Sequence, residues 1–232
     1  MKSVLISIQP KWCELIASGK KTTEVRKTRP KIETPFKCYI YCTNNKDMLW
    51  VLQKNERTYT DKLTSIFDAK DVGGATKANG KVIGEFVCDR VQEYESEFVD
   101  DDCFETIASI DRDEDGDATG WYEWTNDSDI PYISTYFYQK CCVPYEELKK
   151  YIGLGFTTFY GWHISDLVIY DKPKELSEFR TICEGLKPYQ CDECEYSYSE
   201  NTESGSYSEC CCNNLKPLKR PPQSWRYVEG VE

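Results

Sequence analysis

Apolar positions along this chain fall into short runs that switch between two periods. Val4 to Ile8 is continuous, apolar and β-branched enough for a buried strand. Pro10 suits the first turn of a helix, and Trp12, Leu15 and Ile16 then recur at three- and four-residue spacing. Ser18-Gly19 ends that helix, with Gly19 free to take the left-handed cap conformation. The chain returns as a strand from Thr22 to Lys27, on which Thr22, Glu24 and Arg26 share one face because side chains alternate with period two. With Lys21 at the strand entrance, the pattern predicts a dense charged surface at the mouth of a sheet. Phe36 to Cys42 alternates as a half-buried strand, with Cys38 and Cys42 beside Phe36 and Ile40 as small core residues.

Further along, residues 44–79 are polar and irregular, with a helix expected at Asp61–Ala69 and turns at Gly73-Gly74 and Asn79-Gly80. Lys81 to Val91 predicts one strong strand, and Tyr132 to Cys142 another. Pro144 opens a short helix through Tyr151, closed by Gly153 and Gly155. Strands follow at Phe159–Ile164 and Leu167–Tyr170. Near the end, Pro221 and Pro222 enforce an extended path, and Trp225, Tyr227 and Val228 supply an edge strand. Short helices scattered among short strands, with no βαβ regularity, predict an α+β fold built on a small mixed β-barrel. Residues 1–180 form the barrel, with insertions at about 44–79 and 93–129, and residues 181–232 form a cysteine-rich extension and a tail that packs on it.

Charge changes this picture more than length does. The 232 residues carry a net charge of -11, which superficially disfavours nucleic acid. From Glu93 to Asp129, however, fifteen acidic residues face one basic residue, while residues 1–40 hold nine Lys and Arg against three Asp and Glu. The expected barrel is therefore mildly basic and one insertion strongly acidic. No apolar run approaches the roughly 20 residues of a membrane span, so no membrane partner is expected. Met1-Lys2-Ser3 runs straight into a strand without a signal-peptide core, which predicts a cytoplasmic protein. Thirteen cysteines then read as metal ligands or core residues rather than disulfides.

Two constellations carry candidate chemistry. Lys21, Glu24 and Arg26, with Lys11, Trp12, Glu85, Trp162 and His163, would make a ligand pocket. There the cations hold a phosphate or polarised carbonyl, the carboxylate accepts base N–H groups and a Trp face stacks a nucleobase. The plainer reading pairs Glu24 with Arg26 merely to fix the fold. Arg220 and Trp225 are further candidates to close a pocket. The second constellation is Cys191-x-x-Cys194 with Cys210 and Cys212, spaced for one structural tetrahedral zinc. His163 is the only histidine, which excludes the usual multi-histidine zinc hydrolase, and its plainer role, ahead of ligand contact, is to hydrogen-bond within the barrel. Asp111-x-Asp113-x-Asp115-Gly116 opens like an EF-hand loop, but Tyr122 stands at the position of the bidentate acid, so a solvated acidic loop is expected.

The run Gly19-Lys20-Lys21-Thr22-Thr23-Glu24-Val25-Arg26 fits the G-x-K-x-x-E-x-R pattern of ASCH domains, the PUA-like β-barrels related to YTH and EVE folds. Around it, Gln9-Pro10-Lys11-Trp12, Arg26-Lys27-Thr28-Arg29-Pro30, Val82-Ile83-Gly84-Glu85-Phe86 and Tyr160-Gly161-Trp162-His163 resemble ASCH proteins encoded by phages and mobile elements of Gram-positive bacteria. The resemblance implies binding of RNA, a nucleotide or a modified base. Some small ASCH enzymes hydrolyse the amide of acetylated cytidine, and by that likeness Lys21 would act as base with Thr22 as nucleophile and Glu24 beside them. Glu24, though, stands where that subgroup has its threonine. A third reading makes the acidic window a mimic of nucleic acid that blocks a host defence protein.

Overall fold

A computed structural model of the chain describes residues 2–52, 63–64, 75–98, 106–110, 132–181 and 217–230. In chain order the first elements are β1 (Lys2–Ile8), α1 (Pro10–Ala17), β2 (Thr23–Arg26), β3 (Phe36–Cys42), β4 (Trp50–Leu52), β5 (Leu63–Thr64), β6 (Ala75–Lys77) and β7 (Val82–Cys88). They are followed by β8 (Val91–Phe98), β9 (Thr106–Ile110), α2 (Tyr132–Cys141), α3 (Tyr145–Ile152), β10 (Gly155–His163), β11 (Ser165–Lys174), a 3-10 turn at Leu176–Glu178, and β12 (Trp225–Glu229). The result is a mixed α+β fold with a mainly sheet core. No described helix is long and apolar enough to cross a membrane.

The chain divides into two interleaved units, the first comprising residues 1–10, 37–85 and 168–232, the second 11–36 and 86–167. In the first, five strands run in the order β11-β7-β3-β1-β12, with β1 parallel to β3. The apolar run at Val4–Ile8 is what the sequence requires of a strand flanked on both sides. The tail forms the expected edge strand: β12 pairs antiparallel with β1 from Lys2↔Glu229 to Ile6↔Trp225. The proline-enforced approach is pinned by Ser7, whose hydroxyl donates to the Pro222 carbonyl at 2.6 Å. Leu5, Tyr39, Tyr41, Val82, Phe179, Leu218 and Val228 form this unit's core.

The described part of residues 44–79 is less irregular than its polarity suggests. β4 is flanked by β5 and β6 in a three-stranded sheet. Leu63 and Thr64 are extended and pair with Val51 and Trp50, so the helix expected at Asp61–Ala69 does not form at those positions. Buried Asn79 ties the segment down, accepting from the Leu49 N–H at 2.8 Å and donating to the Asp47 carbonyl at 2.8 Å.

The second unit carries the sheet β2-β10-β8-β9. Here two expectations are corrected. Lys81–Val91 is not one strand: β7 stops at Cys88 and β8 starts at Val91, so β8 and β9 occupy the opening of the acidic window. β8 pairs with β10 through eight register positions, Gly155↔Phe98 to Trp162↔Val91. Tyr132–Cys142, expected as a strand, is helix α2. Its β-branched and aromatic residues favour a strand locally, but Phe137 and Cys141, four apart, lie on one helical face and bury with Val25, Leu148, Ile152 and Phe159. Tertiary burial wins over local propensity. The described strands also form open sheets with free ends in their strand orders, not the closed barrel that was expected.

Gly161 is needed on this sheet for space. A Cβ there would stand 2.9 Å from Thr23 Cγ2 and 2.9 Å from Tyr94 Cε2. Tyr94 cannot easily retreat, because its ring stacks on Phe159 at 5.3 Å and meets Phe137 at 4.7 Å. Gly161→Ala should therefore destabilise the protein by about 1–3 kcal/mol, the usual effect of overpacking, and lower its thermal midpoint. An unchanged midpoint would show that the Tyr94 stack yields freely.

Candidate functional site

The site grows from the turn between α1 and β2. Gly19, at φ 72°, takes the left-handed conformation that closes α1, and the Lys21 N–H then returns to the Leu15 carbonyl at 3.0 Å. Thr22 is fixed on both sides, its N–H donating to the Lys140 carbonyl and its carbonyl accepting from the Ile164 N–H, each at 2.9 Å. The strand that follows pairs antiparallel with β10, setting Glu24 opposite Trp162 and Arg26 opposite Tyr160.

Lys21, Glu24 and Arg26 meet, but inside the protein rather than at a charged mouth: they are 1%, 5% and 7% exposed. Arg26 Nη2 lies 2.9 Å from Glu24 Oε1, and Lys21 Nζ lies 3.4 Å from Glu24 Oε2. The Lys21 ammonium also donates to the Cys141 carbonyl at 2.6 Å and the Thr23 carbonyl at 2.9 Å. The Trp12 ring, half-buried, stands 5.5 Å from the same ammonium, a cation–π distance. Two cations thus bracket one carboxylate. The Thr22 hydroxyl and Glu24 Oε2 are buried and make no hydrogen bond among the described residues.

Two further predicted residues border this cluster, Lys11, whose ammonium stands 4.3 Å from the Trp12 ring, and Trp162, and the others lie apart from it. Trp162 is fully buried opposite Glu24 and meets the Phe36 ring edge-on at 5.7 Å. His163 pairs in register with Thr23, so it points to the opposite face from Glu24. Its Nδ1 is 2.6 Å from Asp89 Oδ1. Slight burial raises the Asp89 carboxyl, but the His163 hydrogen bond and charge outweigh this and hold it below 3.8. Lys11 is exposed and ion-paired with Glu147. Glu85 belongs to the first unit, where it accepts from Lys37 at 2.8 Å and from the Tyr170 hydroxyl at 2.6 Å. Burial works against its charge, yet those two hydrogen bonds hold it below 4.5. Arg220 and Trp225 are also in the first unit.

Nucleophilic chemistry finds little support in the geometry. The Lys21 ammonium donates to two backbone carbonyls and lies 3.4 Å from Glu24 Oε2 as an ion pair, and no hydrogen bond joins it to the Thr22 hydroxyl. Burial pushes the Cys141 thiol up to about 11 and the Cys88 thiol up to about 12, so neither supplies a thiolate near neutral pH. Cys191, Cys194, Cys210 and Cys212 lie outside the described residues, as do the EF-hand-like run and Trp121, Tyr122 and Trp124. Among the described residues no group of three or more His, Cys, Asp or Glu side chains is placed to hold a metal ion.

A cleft that sequence patterning does not announce opens directly after β2, lined by residues 27–33 and Tyr160. Its signal is present as cations at every second position, Lys27, Arg29 and Lys31, but only the shape of the loop brings them to a common wall.

The sequence pattern of the family described as "ASCH domain" matches residues 6–125. Among solved structures, ASCH from Zymomonas mobilis is similar at 14% identity and a TM-score of 0.44, over 98% of this chain and 87% of that one. A tyrosine-to-phenylalanine variant of ZmASCH from the same organism is similar at 13% identity and a TM-score of 0.40, over 76% of this chain and 77% of that one. No curated protein matches the chain.

Proposed function

Because the chain belongs to the ASCH domain family, whose pattern spans residues 6–125, we propose that it binds RNA, or a nucleotide or modified base, at the cluster of Lys21, Thr22, Glu24 and Arg26. The observation that carries this reading is incomplete satisfaction. Glu24 Oε2 and the Thr22 hydroxyl are buried beside two cations and make no hydrogen bond among the described residues. Buried polar atoms almost always find a partner, and one left without any costs about 1–3 kcal/mol. A nucleobase edge offers what is missing: an N–H for the carboxylate oxygen and a carbonyl for the hydroxyl. Trp12 supplies an aromatic face at the same ammonium. Burial also limits the ligand, since a duplex cannot reach groups this deep whereas one unstacked base presents its edge.

Thr22→Val separates a ligand site from a purely structural cluster. It keeps the shape and removes an unsatisfied hydroxyl, so stability should hold or rise by up to about 1 kcal/mol. Affinity for the ligand should fall about tenfold or more, roughly 1.4 kcal/mol. The measurement is native mass spectrometry of freshly purified protein, which reports any nucleotide or RNA adduct, followed by titration of both proteins with the adduct found. Wild-type protein without any such adduct, or a variant that binds as well, would overturn the proposal.

A further inference from the structure

We infer that the loop after β2 is a contact surface for single-stranded RNA, with Lys27, Arg29 and Lys31 holding phosphates and Tyr160 stacking one base; this rests on the nucleic-acid reading above and adds the polymer's binding surface to it. The loop and Tyr160 line an open cleft of about 470 Å³, within the roughly 300–1,000 Å³ range of small-molecule sites and thus of nucleotide size. Its position follows from the sheet. Arg26 and Tyr160 are cross-strand partners, so Tyr160 stands at the end of β2 on the face away from Phe159, Val25 and the aromatic core. Pro30 is buried and anchors the loop, while Lys27, Arg29 and Lys31 are exposed on either side of it.

The charges and rings are arranged for a flexible strand. Three cations line the cleft against one carboxylate, Glu33. The same face of the sheet also carries acids: Glu24 on β2, and Glu93 and Glu95 on β8, opposite Tyr160 and Thr158 in register. Lys27 also reaches the Tyr151 ring, 5.5 Å from its ammonium, so a second aromatic surface flanks the same cation. Cations interleaved with a half-buried ring, Tyr160, and an exposed one, Tyr151, suit a single strand, whose phosphates follow the charges and whose unpaired bases stack. A cleft for one nucleotide favours this over a duplex, which is read across its grooves. The buried cluster cannot reach phosphates that remain in water, so loop and cluster divide the work: one grips the backbone, the other reads a base.

The test is fluorescence anisotropy of the full chain with a labelled oligouridylate of about twelve nucleotides. Lys27→Gln/Arg29→Gln/Lys31→Gln, all at exposed positions, should weaken binding at least about tenfold. It should also make the log–log salt dependence shallower by about 2, since each phosphate neutralised on a single strand adds about 0.7 to that slope. Tyr160→Leu should weaken binding about tenfold and leave the salt slope unchanged. If wild-type protein binds RNA and the triple variant matches it in affinity and slope, the loop proposal fails and the RNA reading stands. If wild-type protein binds no oligonucleotide, both fail. If Tyr160→Leu has no effect and inorganic tripolyphosphate competes as well as RNA, the cleft is an anion site only and this proposal is overturned.

Discussion

Glu24→Ala is expected to lower the free energy of unfolding by about 3–5 kcal/mol, the characteristic effect of removing one partner from a buried ion pair. The reason is arithmetic of charge in a place without water. Lys21 and Arg26 are 1% and 7% exposed, and Glu24 is the carboxylate between them. Without it, two like charges are buried together. Lys21 retains its two carbonyl acceptors, but carbonyl dipoles do not neutralise a full charge. The double variant Lys21→Met/Glu24→Ala should lose clearly less than the sum of the single variants, because each removes the penalty created by the other. Urea unfolding followed by circular dichroism measures all three. A loss below about 1 kcal/mol for Glu24→Ala would show that water reaches the cluster and that it behaves as a surface pair.

Much of the scaffold around this cluster was legible because its signals are local. Pro10 and Gly19 mark the two ends of α1, and Gly19 adopts the positive φ that its lack of a side chain allows. The run Phe36–Cys42 marks the bounds of β3, but the expected half-burial does not hold, because Tyr39 and Tyr41 are buried as well and both faces of the strand are covered. The two prolines before Trp225 announce an edge strand, and β12 is one. The pairing of Glu24 with Arg26 follows from period two.

The illegible parts all depend on residues distant in the chain. Nothing near Lys21 announces that its ammonium is capped by the Cys141 carbonyl, 120 residues later, and a lysine without such a partner belongs in water. Burial of the cluster is therefore a tertiary fact. Likewise α2 is a helix because Val25 and Phe159 offer an apolar floor for Phe137 and Cys141; its own residues favour a strand. His163 was grouped with Glu24 by nearness in sequence to Trp162, yet one step along a strand reverses the face.

The acidic window shows what that distinction does to an experiment. Deleting Glu93–Asp129 would be the obvious probe of a charged, dispensable insertion, and the expected result is instead loss of the second unit's cooperative unfolding transition. The deletion removes all but the first two residues of β8 and all of β9. β10 then loses its partners from Gly155↔Phe98 to Tyr160↔Glu93. It also removes Tyr94, which joins the rings of Phe159 and Phe137, two aromatic pairs worth about 0.5–1.5 kcal/mol each beyond the area they bury. A domain held by about 5–15 kcal/mol does not survive the loss of a central strand. The probe that isolates charge is Glu93→Gln/Glu95→Gln, which leaves the backbone pairing intact and should unfold as cooperatively as wild type under circular dichroism. A deleted chain that still unfolds in one sharp transition, with near-native strand content, would mean that β2 and β10 stand without β8. The acidic window would then be the separable insertion that its composition suggests.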